Sequence, residues 1–225
     1  MKILTFSKML AVVCTIGFTV FSYTSRAVNY YSQGNGNFSS LTNWNTNPGG
    51  GGSNPSSVRA GTDVFYIQTG HEIIVDDSIN IAGLNISGIL KFGNNTTARS
   101  MWVNGNITVN NTGSIEVASF NATHRLTLNG GNLINNGAVN LRPGASNRVV
   151  NLTTRGTVQI QGTNSPTLSN LNVQTGTLTP TIGLTIKGDL TIQNSTTFNS
   201  GALTHTITGN FNNSGTFNRN TSTWV

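Results

Sequence analysis

Acidic and imidazole side chains are scarce in this chain, and their scarcity limits the chemistry it can perform. The 225 residues include six Asp or Glu and three His. One close grouping exists: Asp63, His71, Asp76 and Asp77. Carboxylates are the hard ligands that Ca²⁺ takes, and a carboxylate near an imidazole suits general acid–base work. Asp63, Asp76 and Asp77 are therefore the candidate ligands if any metal binds. Their local sequence favours turns instead. Asp63 lies just after Gly61, and His71 directly follows Gly70. Asp76 and Asp77 are neighbours at a strand end, so in an extended chain they point to opposite faces. His124 and His205 stand alone, without metal-ligand spacing. Glu116 is a solitary acid in an alternating strand and is expected to face outward. Lyases and hydrolases acting on polysaccharides gather carboxylates, Ca²⁺ ligands or a basic residue on one surface. Six acids make that hard to assemble, so no catalytic residue, metal or cofactor is expected.

Aromatic side chains offer a different chemistry. Tyr and Trp carry flat apolar faces with polar edges, which stack on sugar rings. Trp44, Tyr66 and Trp102 are the candidate stacking residues, with Tyr30 and Tyr31 beside them. Packing in a cap or core is the competing role for Trp44 and Trp102.

Composition narrows the partners. Net charge is +6, but Lys2, Lys8 and Arg26 precede a predicted cleavage point, which leaves +3. The other basic residues are scattered singly, so no nucleic-acid surface is expected. Only 8% of residues are charged. Asn, Thr, Gly and Ser supply the polarity, as suits stacked strands in which repeated charges would repel. Lys2 and Lys8, the apolar run 9–21 and Ser25-Arg26-Ala27 read as a secretory signal peptide, residues 1–27, leaving no membrane span after cleavage. Cys14, the single cysteine, lies inside it. Val13 before it is not the small residue a lipid-anchor signal needs. The mature chain then has no disulfide, no thiol nucleophile and no Cys-based metal site.

The elements that must position these residues are short strands. Residues 28–60 read as a loop-rich, aromatic N-terminal cap, with a surface loop at Gly49 to Gly52. Residues 61–225 read as repeats. Gly105-Asn106-Ile107, Gly131-Asn132-Leu133, Gly188-Asp189-Leu190 and Gly209-Asn210-Phe211 open near-copies of one phrase. Three are followed by a second phrase: Gly113-Ser114-Ile115, Gly137-Ala138-Val139 and Gly215-Thr216-Phe217. Pairs such as Ile107/Val109 and Leu190/Ile192 put two apolar side chains on one strand face. A unit recurring at roughly 20–26 residues is a solenoid signature, giving roughly seven or eight coils. The expected fold is all-β, a right-handed parallel β-helix with essentially no helix. The alternative is an antiparallel β-sandwich that uses Asn-Gly at 104–105, 129–130 and 136–137 as hairpin turns. The last residues read as the start of another coil, so a truncated fragment is expected, with Trp224 and nearby Phe side chains as the alternative cap.

Residues 30–92 resemble a G8 domain, a glycine-rich all-β extracellular module. Phe38, Trp44, Gly49 to Gly52, Pro55, Gly61-Thr62-Asp63-Val64, Ile67, Gly70-His71, Ile73-Ile74-Val75-Asp76 and Leu84-Asn85-Ile86-Ser87-Gly88-Ile89-Leu90-Lys91-Phe92 carry the likeness. The later phrases resemble repeats that follow this module in secreted proteins of Bacteroidetes-type bacteria. The resemblance implies a β-helical module, carbohydrate binding, and a longer parent chain with further solenoid or a sorting domain for type IX secretion. In that context Asp77-Ser78-Ile79 matches an O-glycosylation sequon at Ser78. The expected function is a secreted, non-catalytic cell-surface or extracellular module, adhesin-like or structural, with a polysaccharide or cell-surface glycan as candidate ligand. The alternative is a fragment of a carbohydrate-active β-helix enzyme of the lyase or hydrolase type.

Overall fold

The computed structural model describes residues 26–144 and 147–225. The signal peptide expected over 1–27 therefore lies almost wholly outside the described residues. The rest forms a three-sided parallel β-solenoid. The first full coil runs through Val64–Ile67, Glu72–Val75 and Ile79–Ile81, one strand on each face. Each face is a stack of such strands in parallel register. The first carries strands from the N-terminal segment to Thr216–Asn218, and the third ends at Phe211–Asn213. The second is two stacks joined by a parallel bridge between Asn140 and Thr167. Seven coils are complete among the described residues. The sandwich is excluded because its hairpins would pair antiparallel. Among the described residues one pair does so, Asn29–Ser32 with Trp44–Asn45. The Asn-Gly dipeptides sit at coil corners. The one helix among the described residues is a 3₁₀ turn, Leu41–Asn43.

Alternation explains the core. On the third face Ile79, Met101, Leu126, Leu152, Leu171 and Leu190 lie in one register column and are fully buried. On the first face Phe65, Leu84, Ile107, Leu133 and Ile160 do the same. Each such side chain contributes roughly 1.5–3 kcal/mol by leaving water. A single coil has no second layer to bury against, so stacking supplies the stability.

Corners are held by neutral polar side chains. Asn129 donates to Asn104 Oδ1 at 2.9 Å, and Asn104 donates to Asn80 Oδ1 at 3.0 Å. A second ladder links Asn170 Nδ2 to Asn151 Oδ1 at 3.0 Å, then the Asp189 amide to Asn170 Oδ1 and the Asn210 amide to Asp189 Oδ1, both at 2.8 Å. Asp189 takes an asparagine's place in the second ladder.

The repeated phrase is not locked to one face. Gly105 and Gly131 lead strands of the first face, whereas Gly188 and Gly209 lead strands of the third. The phrase specifies strand, corner and strand, wherever in the coil that unit falls. Coil length also varies. Val64 pairs with Gly83, but Leu133 pairs with Ile160. The extra residues of the long coils lie mainly between the second and third faces, among the described residues at 93–99, 118–122, 140–144 and 147–148.

The N-terminal segment is more than a cap. Asn29–Ser32 and Gly36–Asn37 extend the first and second sheets in parallel. Phe38, Trp44 and Phe65 then close the end, with ring centroids 4.7 to 5.3 Å apart. The glycine run is a surface loop fixed by Asn45, whose Oδ1 accepts the amides of Asn47 and Gly52. At the other end Phe211 and Val225 are exposed, and Phe217 and Trp224 are partly covered.

Candidate functional site

The acid and imidazole residues singled out from the sequence each have a structural partner. Asp63 accepts the Val28 amide at 3.1 Å. Asp76 accepts the Ser39 amide at 3.0 Å and its hydroxyl at 2.6 Å. Asp77 pairs with Arg59 and accepts the Ser78 amide. His71 Nδ1 lies 2.7 Å from the Ser32 hydroxyl, which is fully buried and accepts the Gln68 amide. The four residues stitch the first coils together. Among the described residues no group of three or more His, Cys, Asp or Glu can hold a metal ion.

The other two histidines are buried and neutral. His205 Nδ1 accepts the Leu184 amide at 3.2 Å, and its Nε2–H donates to the Ser200 carbonyl at 2.9 Å. His124 Nδ1 accepts the Arg99 amide at 3.0 Å. Burial pushes both imidazoles below the ordinary histidine range, and the Arg99 charge adds to this at His124. The unfolded chain takes up these protons near pH 6.5, the folded chain only at lower pH. Stability is therefore full above pH 6.5 and falls as pH drops below it, by up to about 1.4 kcal/mol per pH unit for each histidine. Urea unfolding at pH 7.5 and pH 5 is expected to show this fall. His205→Gln is expected to flatten the slope, and equal stability at the two values would contradict the account.

Of the three stacking candidates, the structure places one on an aromatic surface. Trp44 is fully buried and donates Nε1–H to the Phe38 carbonyl at 2.9 Å, so it has no face for a sugar. Trp102 is partly exposed on the third face, between Asn80 and Thr127. Tyr66 is partly exposed on the first face and stacks on Tyr31, centroids 4.8 Å apart with planes at 25°. Their outward row continues in register with Asn85 and Thr108. A depression of ≈ 250 Å³ beside the pair is bordered by Gln68, Thr69, Asn85 and Ser87. An aromatic face next to amide and hydroxyl groups is what a neutral saccharide needs, apolar for the ring and polar for its hydroxyls.

The second face carries charge. Ile74, Lys91 and Glu116 form an outward row in register. Lys91 is ion-paired with Glu72, and Glu116 accepts the Ser114 hydroxyl at 2.9 Å. The corner loops 93–99 and 118–122 border this row. The sequence marks Lys91 only as part of the family likeness and does not mark Glu72. Aligning Glu72-Ile73-Ile74-Val75 with Ile89-Leu90-Lys91-Phe92 as successive coils is the signal that brings them together. Among the described residues no helix is long and apolar enough to cross a membrane.

Comparison with known families matches residues 44–172 to the G8 domain. No curated protein and no solved structure matches the chain. The matched segment begins at the buried Trp44 and runs through five strands of the third face to Leu171–Val173. It starts later and ends much later than the 30–92 stretch that carries the likeness in the sequence, and it covers more than half of the chain. The chain therefore belongs to the G8 domain family.

Proposed function

We propose that this is a secreted, non-catalytic G8 module that binds glycans at an extracellular or cell surface. The Tyr31–Tyr66 stack beside Asn85 carries this reading. The site combines a partly exposed ring face with a hydrogen-bonding amide on rigid strands, which need little ordering on binding. A run of parallel coils also offers a long lateral surface of the kind an adhesin uses. Ser78 is exposed in a turn beside Asp77, and it is the residue to examine for O-linked sugar in the secreted protein.

The test is quantitative binding to the polysaccharide that a glycan screen selects. Tyr66→Ala is expected to weaken binding about tenfold or more, equivalent to about 1.4 kcal/mol. Trp102→Ala is expected to leave it unchanged, since Trp102 lies on another face. Equal binding by Tyr66→Ala and the unmodified protein would sink the platform. The enzyme reading has one observation in its favour, the carboxylates of Glu72 and Glu116 on strands flanking that of Lys91. It requires turnover of the bound glycan that Glu116→Gln abolishes.

A further inference from the structure

The geometry points to a second ligand site on the second face, one that takes a saccharide bearing a free ammonium group, such as a glucosamine oligomer. This goes beyond the tyrosine platform and lies on a different sheet. Glu116 is its centre. It occupies the outward row directly across from Lys91, half-buried. Lys91 is already paired with Glu72, and Glu116 belongs to neither ion pair of the described residues. Ser114 engages one carboxylate oxygen and thereby fixes its orientation. Glu72, Lys91 and Glu116 together carry one net negative charge, and Glu116 holds its share of it in a half-buried groove, where attraction for a cation exceeds that in bulk water.

Shape agrees with charge. Glu116 borders two adjoining depressions, of ≈ 570 Å³ and ≈ 300 Å³. In the larger, Lys91 and Glu116 are the only charged residues among the described ones. Phe120 stands at its rim, 44% exposed, and offers an apolar ring for stacking. Ala138 and Asn140 of the next coil border the smaller depression, so the groove runs along the solenoid axis. Its three adjacent strands from Ile89–Phe92 to Ala138–Val139 span about 10 Å. A linear chain of pyranose rings follows such a groove. A basic peptide fits less well. It gains most by adding as a strand to a free edge, and Ser114–Val117 is paired on both sides.

The experiment is calorimetric titration of the whole protein with a glucosamine tetramer, an N-acetylglucosamine tetramer and tetralysine at low and physiological salt. The glucosamine oligomer is expected to bind saturably, at least tenfold tighter than the acetylated one, whose nitrogen carries no charge. Glu116→Gln is expected to lower that affinity about tenfold, and Phe120→Ala several-fold. Both residues face outward, so both variants are expected to fold, with circular dichroism as the check. Tyr66→Ala is expected to leave glucosamine binding intact, which separates this site from the platform. Equal binding of the two saccharides, or no effect of Glu116→Gln, overturns the proposal. Tetralysine binding as tight and as dependent on Glu116 overturns it in favour of a basic peptide.

Discussion

Trp44→Ala is expected to cost about 3–5 kcal/mol of stability, the range for truncating a large buried aromatic. For a chain of this size that lowers the melting temperature by roughly 6–20 °C. The reason lies in what the ring does at the end of the solenoid. Its ring lies 4.7 Å from that of Phe38, tilted, and 4.8 Å from that of Phe65, edge to face, measured between centroids. Its Nε1–H satisfies the buried Phe38 carbonyl. Removing it leaves a cavity above the first coil and an unpaired acceptor, both named causes of large losses. Trp102→Ala is the comparison. That side chain is partly exposed on the outer row, and its removal is expected to cost about 1 kcal/mol or less. Thermal unfolding of both variants by circular dichroism checks the pair. Equal losses would mean that Trp44 does not close the core.

Gly137→Ala is expected to cost roughly 2–4 kcal/mol, although it adds a single methyl group. A Cβ at this corner would lie 2.3 Å from the carbonyl oxygens of both Asn110 and Gly113 in the coil below. Those atoms are backbone, and the Gly113 carbonyl is itself bonded to the Ala138 amide at 3.0 Å. They cannot give way without breaking the register of the second sheet. Gly113 is in the same position against the Ile86 carbonyl, at 2.1 Å. Gly144→Ala is the control. A Cβ there meets nothing within 4 Å, and the change is expected to fall within about 0.5 kcal/mol of zero. A Gly137→Ala protein as stable as the control would show that the corners have room to spare.

These two residues also show what could be read from the sequence. The all-β solenoid was legible because the Gly-led phrase and the i, i+2 apolar pairs recur, and each corresponds to a corner and an inward strand face. The phase of the phrase was not legible. The same words serve the first face at Gly105 and the third at Gly188, because the chain needs a corner and two strands at each place. Composition showed that neutral polar residues suit stacked strands, and the corners use them in Asn ladders.

The sites were legible only in part. Tyr66 was a candidate from its residue type. Its partnership with Tyr31, 35 residues earlier, depends on the strand Asn29–Ser32 joining the first sheet, and residues 28–60 had read as loop. Trp44 was equally suited to stacking by type, and burial alone separates the two. The row Ile74, Lys91 and Glu116 required coil lengths that differ from turn to turn, which no fixed period supplies.

The most direct test of the glycan-binding reading is a glycan array probed with the purified, monodisperse protein, its folding verified by circular dichroism. Saturable binding to a defined polysaccharide class is expected, and its loss in Tyr66→Ala. A folded, monodisperse sample that binds no glycan would contradict it and leave a scaffold as the role of these coils.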